Sequence, residues 1–330
     1  MISVALCTHN GASYIGEQIR SICHQSLPPF EIVLSDDAST DGTVDVATAS
    51  WQAALAERPG AEIQLRVLRN SPALRVTKNF EQAAAACQGG LIALSDQDDV
   101  WPPHRLERMA AEFDRRPDLL LLHTDARLVG KSLEDLGQTL FFALEVSPEE
   151  LRRIHCGRAF DVFLRRNLVT GAATMFKRQL LEWAIPFPEG WVHDEWLGIV
   201  AAAVGRVDVI EEPLLDYRQH GGNQIGARRD SFSAKVRKAL ASRGNTHVER
   251  ARKAEQLLAR LETLSAPGLD AKRERVRGKV AHQRFRAALP AARLGRIAPV
   301  LREAATGRYD LYGRGFRGIV RDLFESLSLL

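Results

Sequence analysis

Residues 91–101 read Leu-Ile-Ala-Leu-Ser-Asp-Gln-Asp-Asp-Val-Trp, and this segment organises the rest of the chain. Its apolar half has the length of a buried strand and ends in a cluster of carboxylates. Carboxylates this close repel one another and raise one another's pKa unless a cation lies among them. Mg²⁺ and Mn²⁺ suit such oxygen ligands, because proteins bind them through one or two carboxylates together with substrate phosphates. The alternative is an acidic turn that caps the next helix, because Pro102 and Pro103 stand where helices begin.

Short apolar runs alternate with helical patterns on both sides of this segment. The runs predicted to be strands are Ser3–Cys7, Phe30–Leu34, Ile63–Leu68, Leu91–Ser95 and Leu119–Thr124, and further along the chain Asn167–Phe176 and Val207–Ile210. Apolar strands that alternate with helices indicate a Rossmann-like α/β fold, in which helices flank a mostly parallel sheet. Ligands of such sheets bind beyond the carboxyl ends of the strands.

Polar residues follow three of these strands at their carboxyl ends. They are Thr8 and Asn10 after the first, Asp36 and Asp37 after the second, and Asp96, Asp98 and Asp99 after the fourth. Because these ends meet at one edge of a parallel sheet, the sequence predicts a single site there. Neither G-x-G-x-x-G after the first strand nor a G-x-x-x-x-G-K-[ST] motif is present, so a dinucleotide site or P-loop is not indicated.

Charge is distributed unevenly along the chain. Residues 227–330 contain 24 Lys and Arg against 10 Asp and Glu, whereas residues 1–226 are net acidic and the whole chain carries +4. No apolar run approaches the roughly 20 residues of a membrane span, and the N-terminus lacks the features of a signal peptide. We therefore expect a cytoplasmic protein with a basic segment that meets an anionic surface.

Several segments together resemble the family 2 glycosyltransferases. Residues 5–11 read Ala-Leu-Cys-Thr-His-Asn-Gly, residues 35–43 read Ser-Asp-Asp-Ala-Ser-Thr-Asp-Gly-Thr, and residues 95–101 complete the pattern. Residues 193–196 (His-Asp-Glu-Trp) and 217–223 (Tyr-Arg-Gln-His-Gly-Gly-Asn) are similar to the rhamnosyltransferase-like subgroup. The resemblance implies a GT-A fold and an inverting, metal-dependent transfer of a sugar, rhamnose being the candidate, from a UDP- or dTDP-sugar.

The resemblance also implies a domain organisation. Residues 1–226 would form the GT-A domain, with a nucleotide-binding half at 1–125 and an acceptor-binding half at 126–226. Residues 227–330 would be a basic helical extension outside the shared domain. The acceptor would be a saccharide or a lipid-linked saccharide of bacterial surface polysaccharide synthesis. One departure is that residues 70–76 lack a glycine that such enzymes often carry there.

The carboxylates after the fourth strand receive separate roles from the resemblance. Asp98 is the expected direct ligand of Mg²⁺ or Mn²⁺, and Asp96 is expected to face the ribose or help to hold the ion. Asp99 is expected to be the N-cap of the next helix. His220 is a candidate for a further metal ligand, and His220 and Arg218 are expected to close over the diphosphate.

The nucleotide itself would be bound at the ends of the first two strands. Asp37, helped by Asp36, would accept the imide N–H of uracil or thymine. Thr8 and Asn10 would contact the nucleotide through side chain or backbone. Asp41 is expected to be structural, because Ser-Thr-Asp-Gly is a good turn and helix cap.

Asp194 is the candidate general base, which takes the proton of the acceptor hydroxyl during an inverting attack. Trp196 would stack on a sugar. Glu195 is the rival base, and the two cannot face one acceptor because adjacent helical residues point about 100° apart. A structural alternative is that Asp194 is only a helix N-cap.

Alternatives remain open for the whole chain and for its basic extension. The enzyme alternative is a nucleotidyltransferase, and the non-enzyme alternative is a nucleotide-sugar-binding protein of the same fold. The extension could contact anionic lipid at the inner face of the cell membrane, pack as a solvated helical addition, or form a homodimer contact. Its apolar residues on the lipid-binding alternative are Leu311, Phe316, Ile319, Val320, Leu323 and Phe324. Nucleic-acid binding is not expected, because aromatic residues are few and no recognition motif is present.

Overall fold

A computed structural model of the protein describes residues 1–220 and 246–325. The described chain divides into two compact units. The first unit comprises residues 1–159, 168–187 and 191–220, and the second comprises residues 160–167, 188–190 and 246–325. The predicted domain boundary at residue 226 lies outside the described residues and stays a prediction.

The first unit contains an eight-stranded sheet. Its strands are β1 (Ile2–Thr8), β2 (Glu31–Asp36), β3 (Gln64–Arg69), β4 (Leu91–Ser95), β5 (Leu119–Val129), β6 (Asp135–Thr139), β7 (Thr174–Lys177) and β8 (Arg206–Arg218). The helices of this unit are α1 (Ile15–Cys23), α2 (Thr43–Ala56), α3 (Arg75–Ala86), α4 (Arg105–Arg115), α5 (Leu140–Ala143), α6 (Pro148–His155), α8 (Leu180–Ala184) and α9 (His193–Val204). The helix α7 (Ala159–Arg165) belongs to the second unit from residue 160 onward.

The sheet order is β3-β2-β1-β4-β7-β5-β6, and β8 pairs with β5. The first four strands of this order are mutually parallel, as predicted, because each returns through a helix. β7 runs antiparallel to both of its neighbours, and β8 is parallel to β5. The side chains of β1 are buried along its whole length, which explains its continuously apolar sequence.

Two segments differ from the sequence-based expectations. Residues 167–176 were expected to form one strand, but Gly171–Ala173 is a 3-10 turn and the strand begins at Thr174. β8 is much longer than the predicted strand at Val207–Ile210, because it keeps pairing with β5 through register shifts. This extension carries the backbone as far as Arg218, beside the segment after β4.

The second unit is helical over its described residues. Its longer helices are α10 (Thr246–Thr263) and α11 (Leu269–Ala287), and α12 (Ile297–Ala305), α13 (Arg308–Tyr312) and α14 (Phe316–Phe324) follow. Leu289, Val300 and Tyr309 form a small apolar core between them. Across residues 1–220 and 246–325, no helix combines the length and apolarity that a membrane span requires.

Candidate active site

The carboxyl ends of three parallel strands meet at one edge of the sheet. The backbone of Thr8 is in register with that of Asp36, and Leu6 is in register with Ser95, the last residue of β4. The polar residues predicted to form one site therefore follow strands that end side by side. The grouping rests on strand register, and no sequence motif alone could establish it.

A second connection brings the end of β8 to the segment after β4. Val100 and Asp216 form an isolated antiparallel bridge, in which each N–H donates to the other residue's carbonyl at 3.1 and 2.9 Å. This bridge holds His220 next to Asp98, and the Nε2 atom of His220 lies 2.7 Å from Oδ2 of Asp98. The His220 ring also stacks on Tyr14, with ring centroids 4.7 Å apart.

Arg218 differs from the prediction that it closes over the diphosphate. Its side chain is buried, and its guanidinium donates to the carbonyls of Asp98 and Lys131 and pairs with Glu17. Its Cζ also lies 5.0 Å from the centre of the Tyr14 ring. With these protein oxygens around it, Arg218 fixes the segment after β4 in place and does not point into open space.

Asp99 is not the N-cap that the sequence suggested. The helix α4 begins at Arg105 and its N-cap residue is His104, without a side-chain cap. Asp99 is instead buried, and its Oδ1 accepts the backbone N–H of Arg218 at 3.1 Å. The other oxygen, Oδ2, has no hydrogen-bond partner among the described residues. Burial, followed by the charges of Asp98 and Asp96, raises the pKa of this carboxyl well above its usual range.

The carboxylates at this edge suit a hard divalent cation. Burial, then the charge of Asp98 and then that of Asp194, raises the pKa of Asp96 to about 7. Bringing like charges together is costly without a cation among them. In the part of the chain that the structure describes, however, no three or more His, Cys, Asp or Glu side chains are grouped to hold a metal by themselves. Asp98 and His220 are thus close enough to share an ion, but Asp96 does not complete a three-residue cage with them.

The carboxylate of Asp37, which is predicted to bind the nucleotide base, lies at the N-terminal end of α3. Its Oδ1 accepts the backbone N–H of Leu74 at 2.6 Å and the side-chain amide of Asn70 at 3.2 Å, and its Oδ2 accepts the N–H of Arg75 at 2.8 Å. Because an ionised carboxylate can accept about four hydrogen bonds, Asp37 retains capacity for a base N–H. Its role with a nucleotide stays a prediction.

The absence of glycine from residues 70–76 has a local consequence. Arg75 adopts a φ of 67°, in the left-handed region that usually favours glycine. The Asp37 carboxylate, which accepts the N–H groups of Leu74 and Arg75, stabilises this unusual backbone.

Thr8 and Asp36 contact each other at the strand ends. The Thr8 hydroxyl donates to Oδ1 of Asp36 at 2.7 Å, and the same carboxylate accepts the hydroxyl and the N–H of Ser39. Asn10 is exposed, and its side-chain oxygen accepts the N–H of Thr40 at 2.9 Å. These groups shape the loops in which a nucleotide was predicted to bind, and their direct contacts with it stay predictions.

Gln97 is a residue of the site region that sequence reasoning missed. Its side chain accepts the N–H of His9 at 2.8 Å and donates to the carbonyl of His9 at 3.1 Å. It thereby joins the loop after β4 to the loop after β1. A Cβ atom at Gly11 would lie 2.3 Å from the Gln97 side-chain oxygen, so a larger residue there would displace the Gln97 side chain. The only signal in the sequence was the position of Gln97 between carboxylates.

Asp41 forms a turn, as predicted, but the N-cap of α2 is Gly42. The Oδ2 atom of Asp41 accepts the N–H of Ala12 at 3.0 Å, and its Oδ1 accepts the N–H and the hydroxyl of Thr43. These contacts link the segment after β2 to the start of the first helical region.

Asp194 lies in the first turn of α9, and the N-cap of that helix is Val192. Its Oδ2 accepts the N–H of Gly171 at 2.9 Å, and its Oδ1 accepts the N–H of Glu195 at 2.6 Å. Burial raises the pKa of Asp194 to about 6 in spite of these two donors, which lower it. Asp194 is therefore not the N-cap of the helix. A pKa near neutrality is suited to a general base.

The aromatic residue that was expected to stack on a sugar is not accessible to a ligand. Trp196 is fully buried, its indole N–H donates to the carbonyl of Ala184 at 2.8 Å, and its ring packs edge-on against Trp191. His193 is also buried and stacks on Phe80, with ring centroids 3.8 Å apart. Burial lowers the pKa of His193 to about 3, so the ring stays neutral.

The sequence of this chain is similar to those of several known proteins. The family model described as Glycosyl transferase family 2 matches residues 3–182. The uncharacterized glycosyltransferase alr2836 of Nostoc sp. is 26% identical over 249 residues, which cover 73% of this chain and 71% of that protein. The O-antigen biosynthesis protein RfbC of Myxococcus xanthus is 26% identical over 251 residues, which cover 76% of this chain and 18% of that protein. The chain spans 59% of the length of three mycobacterial relatives.

Among solved structures, residues 1–349 of S. aureus TarS in complex with UDP-GlcNAc have a similar fold. The TM-score is 0.55 at 18% sequence identity, and the match covers 86% of this chain and 72% of the TarS chain. This likeness confirms the predicted GT-A type of α/β fold.

Proposed function

The chain belongs to glycosyl transferase family 2, and on this premise we propose that it is an inverting, metal-dependent transferase that uses a UDP- or dTDP-sugar. The observation that carries the proposal is the approach of His220 to Asp98 at the edge of the sheet where β1, β2 and β4 end. We propose rhamnose as the sugar and a saccharide or lipid-linked saccharide of bacterial surface polysaccharide synthesis as the acceptor.

The names and ligands of similar proteins support these choices. RfbC is named for O-antigen biosynthesis, and TarS has been solved with UDP and with UDP-GlcNAc. A uridine or thymidine nucleotide also suits a carboxylate such as Asp37, which can accept the imide N–H of either base. The family membership leaves the nucleotidyltransferase alternative without support.

Asp98 and His220 are proposed to hold Mg²⁺ or Mn²⁺ together with the donor diphosphate. When bound, such an ion offsets the negative charge that develops on the leaving phosphate oxygen. Asp96, whose raised pKa reflects burial and the neighbouring carboxylates, would face the same region. Arg218 would act indirectly, because it holds the backbone of Asp98.

Asp194 is proposed to be the general base. The acceptor hydroxyl oxygen attacks the anomeric carbon from the side opposite the nucleotide, and its proton passes to the Asp194 carboxylate. One carbon–oxygen bond forms to the acceptor while the bond to the phosphate oxygen breaks, so the anomeric configuration inverts. Two backbone N–H groups hold the carboxylate in one orientation for this transfer.

The test is a panel of nucleotide-sugars assayed for thermal stabilisation with and without Mn²⁺, followed by transfer assays with the donors that bind. We expect a UDP- or dTDP-sugar to raise the melting temperature more in the presence of Mn²⁺. Stabilisation without turnover on any acceptor of the panel would favour the non-catalytic binding protein. Equal stabilisation with and without the ion would contradict the metal site.

We further propose that the protein works in the cytoplasm, at the inner face of the membrane that carries a lipid-linked acceptor. The basic balance of residues 227–330 supports this location. A homodimer remains a proposal that measurement of the molar mass in solution would test.

A further inference from the structure

The second unit exposes large apolar side chains on two of its helices. On α14, Phe316 is 75% exposed and Phe324 is 57% exposed, with Val320 between them also exposed. On α12, Ile297 and Leu301 are exposed in the same way. The two helices pack against each other and contribute to one small core. Exposed apolar groups grouped in this manner commonly mark an interaction surface.

Helical geometry places the exposed residues of α14 in one stripe. At about 100° per residue, Phe316, Val320 and Phe324 fall within a sector of roughly 80°. Ile319 and Leu323 occupy the adjoining sector and pack against the small core, so they do not belong to the exposed surface. The apolar face of α14 is thus wider than the core can cover, and its uncovered part points to solvent.

The second helix repeats this arrangement. Val300 of α12 is buried in the small core and Ala304 packs against it, whereas Ile297 and Leu301 lie in the adjoining sector and are exposed. Leu294, in the turn before α12, is 84% exposed. Both helices therefore present apolar side chains that the unit itself leaves uncovered.

In residues 291–325, most of the carboxylates are buried and several arginines are exposed. The buried carboxylates make polar contacts: Glu303 bonds to His282, Asp322 to Arg286, and Glu325 to Arg321. The exposed charged residues of residues 291–325 are Arg293, Arg302, Arg314 and Arg317, with Asp310 as the exposed carboxylate. The outer surface around the apolar stripes is therefore strongly positive.

We propose that this surface, formed by Leu294, Ile297, Leu301, Phe316, Val320 and Phe324 with the exposed arginines around them, binds the surface of a bilayer that contains anionic lipids. We call it the lipid-binding face. Apolar side chains can enter the boundary between headgroups and acyl chains, while guanidinium groups remain at the level of the negative headgroups. A second copy of the chain fits less well, because a twofold contact would bring the same arginines of both copies together.

The proposal rests on the second unit alone and does not depend on the transfer reaction. Its test therefore uses binding and not activity. The full chain is sedimented with vesicles of phosphatidylcholine, and with vesicles in which phosphatidylglycerol replaces a third of the phosphatidylcholine. We expect binding to the mixed vesicles, weak binding to phosphatidylcholine alone, and weaker binding as salt is raised.

Two double variants, each with a control, separate the contribution of the apolar side chains from that of the arginines. In Phe316→Ser/Phe324→Ser we expect vesicle affinity to fall at least about tenfold, because two aromatic side chains no longer leave water. The matched control is Val248→Ser on α10, a residue 56% exposed in the same unit, which should leave the affinity unchanged. Arg314→Gln/Arg317→Gln should weaken binding only to the anionic vesicles, and Arg252→Gln/Arg284→Gln, elsewhere on the same unit, should change it much less.

Melting temperatures of all variants are measured alongside, because the substituted side chains are exposed and should not affect folding. The proposal is overturned if the chain does not bind the mixed vesicles, or if Val248→Ser weakens binding as much as the Phe pair. A dimer in solution that Phe316→Ser/Phe324→Ser dissociates, together with no vesicle binding, would assign the face to self-association instead.

Discussion

The Nε2 atom of His220 lies 2.7 Å from Oδ2 of Asp98, although 122 positions separate the two residues in the chain. The contact depends on the bridge between Val100 and Asp216, which attaches the segment after β4 to the end of β8. A carboxylate and an imidazole at this distance can share a proton or a metal ion. Substitution of Asp98 therefore tests the proposed metal site.

The first prediction concerns Asp98. In Asp98→Ala, we expect sugar transfer to fall by at least about 100-fold, because one metal ligand and its charge are lost. The added thermal stabilisation that Mn²⁺ gives in the presence of the donor should disappear as well. Asp114→Ala, at an exposed position on α4, is the control and should behave like the unmodified protein. Transfer that survives Asp98→Ala would remove Asp98 from the site.

The second prediction is a pH dependence set by Asp194. Its pKa is raised to about 6, mainly by burial, and a general base acts only as the carboxylate. Transfer should therefore fall as the pH drops through about 6, because the carboxylate becomes protonated. Among the described residues, Glu195, Asp96 and Tyr217 are ionisable groups that interact with Asp194. Initial rates at saturating donor across the pH range measure this limb.

Asp194→Asn and Glu195→Gln separate the two candidate bases. We expect Asp194→Asn to lower kcat by about 10² to 10⁴ and to abolish the low-pH limb. Glu195→Gln should retain both the limb and most of the rate. The reverse result would assign the base to Glu195.

A third prediction concerns Gly171, whose N–H orients the proposed base. A Cβ atom at this position would lie 2.4 Å from Nε2 of His193, so Gly171→Ala must displace the His193 ring or the backbone. The displacement moves the donor to Asp194, and we expect kcat to fall by about 10- to 100-fold with the donor KM unchanged.

The control for Gly171 is Gly90→Ala, since a Cβ atom at Gly90 meets no atom within 4 Å. The double variant Gly171→Ala/His193→Ala removes the clash and should regain part of the lost rate. If donor KM rises and kcat stays the same, Gly171 serves donor binding and does not position the base.

The fourth prediction concerns stability. Arg218→Ala removes a buried guanidinium that donates to the carbonyls of Asp98 and Lys131, and we expect the free energy of unfolding to fall by about 2 to 4 kcal/mol. Arg127→Ala, which breaks a more exposed pair with Asp216, should cost about 1 kcal/mol or less. Urea unfolding of both variants tests the difference. Equal losses would mean that Arg218 does not brace the segment after β4.

Much of the fold was predictable because local patterns agree with the tertiary structure. The strand Leu91–Ser95 begins and ends where the sequence predicts, because it is buried from Ile92 to Ser95 and the polar residues 96–98 that follow are only partly buried. The strand predicted at residues 167–176 is wrong over residues 167–173, because small apolar residues do not distinguish a strand from a tight turn. The full length of β8 was also not predictable, because the exposed residues Glu211–Pro213 interrupt its apolar pattern while pairing with β5 continues beyond them.

The sequence predicted which residues belong to the candidate site, but it did not predict which residues each of them contacts. Carboxylates after strands marked Asp96 and Asp98, but the same signal assigned Asp99 to a helix cap. Asp99 is buried against the backbone of Arg218, a contact between residues far apart in the chain. Aromatic character suggested a sugar-stacking role for Trp196, and only burial excludes it.

The sequence by itself determined the alternation of strands and helices, the acidic ends of three strands and the family to which the chain belongs. These are local properties, set by hydrophobic period and by residue type along a few neighbouring positions. Tertiary structure alone decided that His220 meets Asp98, that Arg218 is a buried brace and that Gly171 orients Asp194. The physical reason is that strand register and burial depend on the whole packed sheet, whereas a sequence pattern reports only the neighbours along the chain.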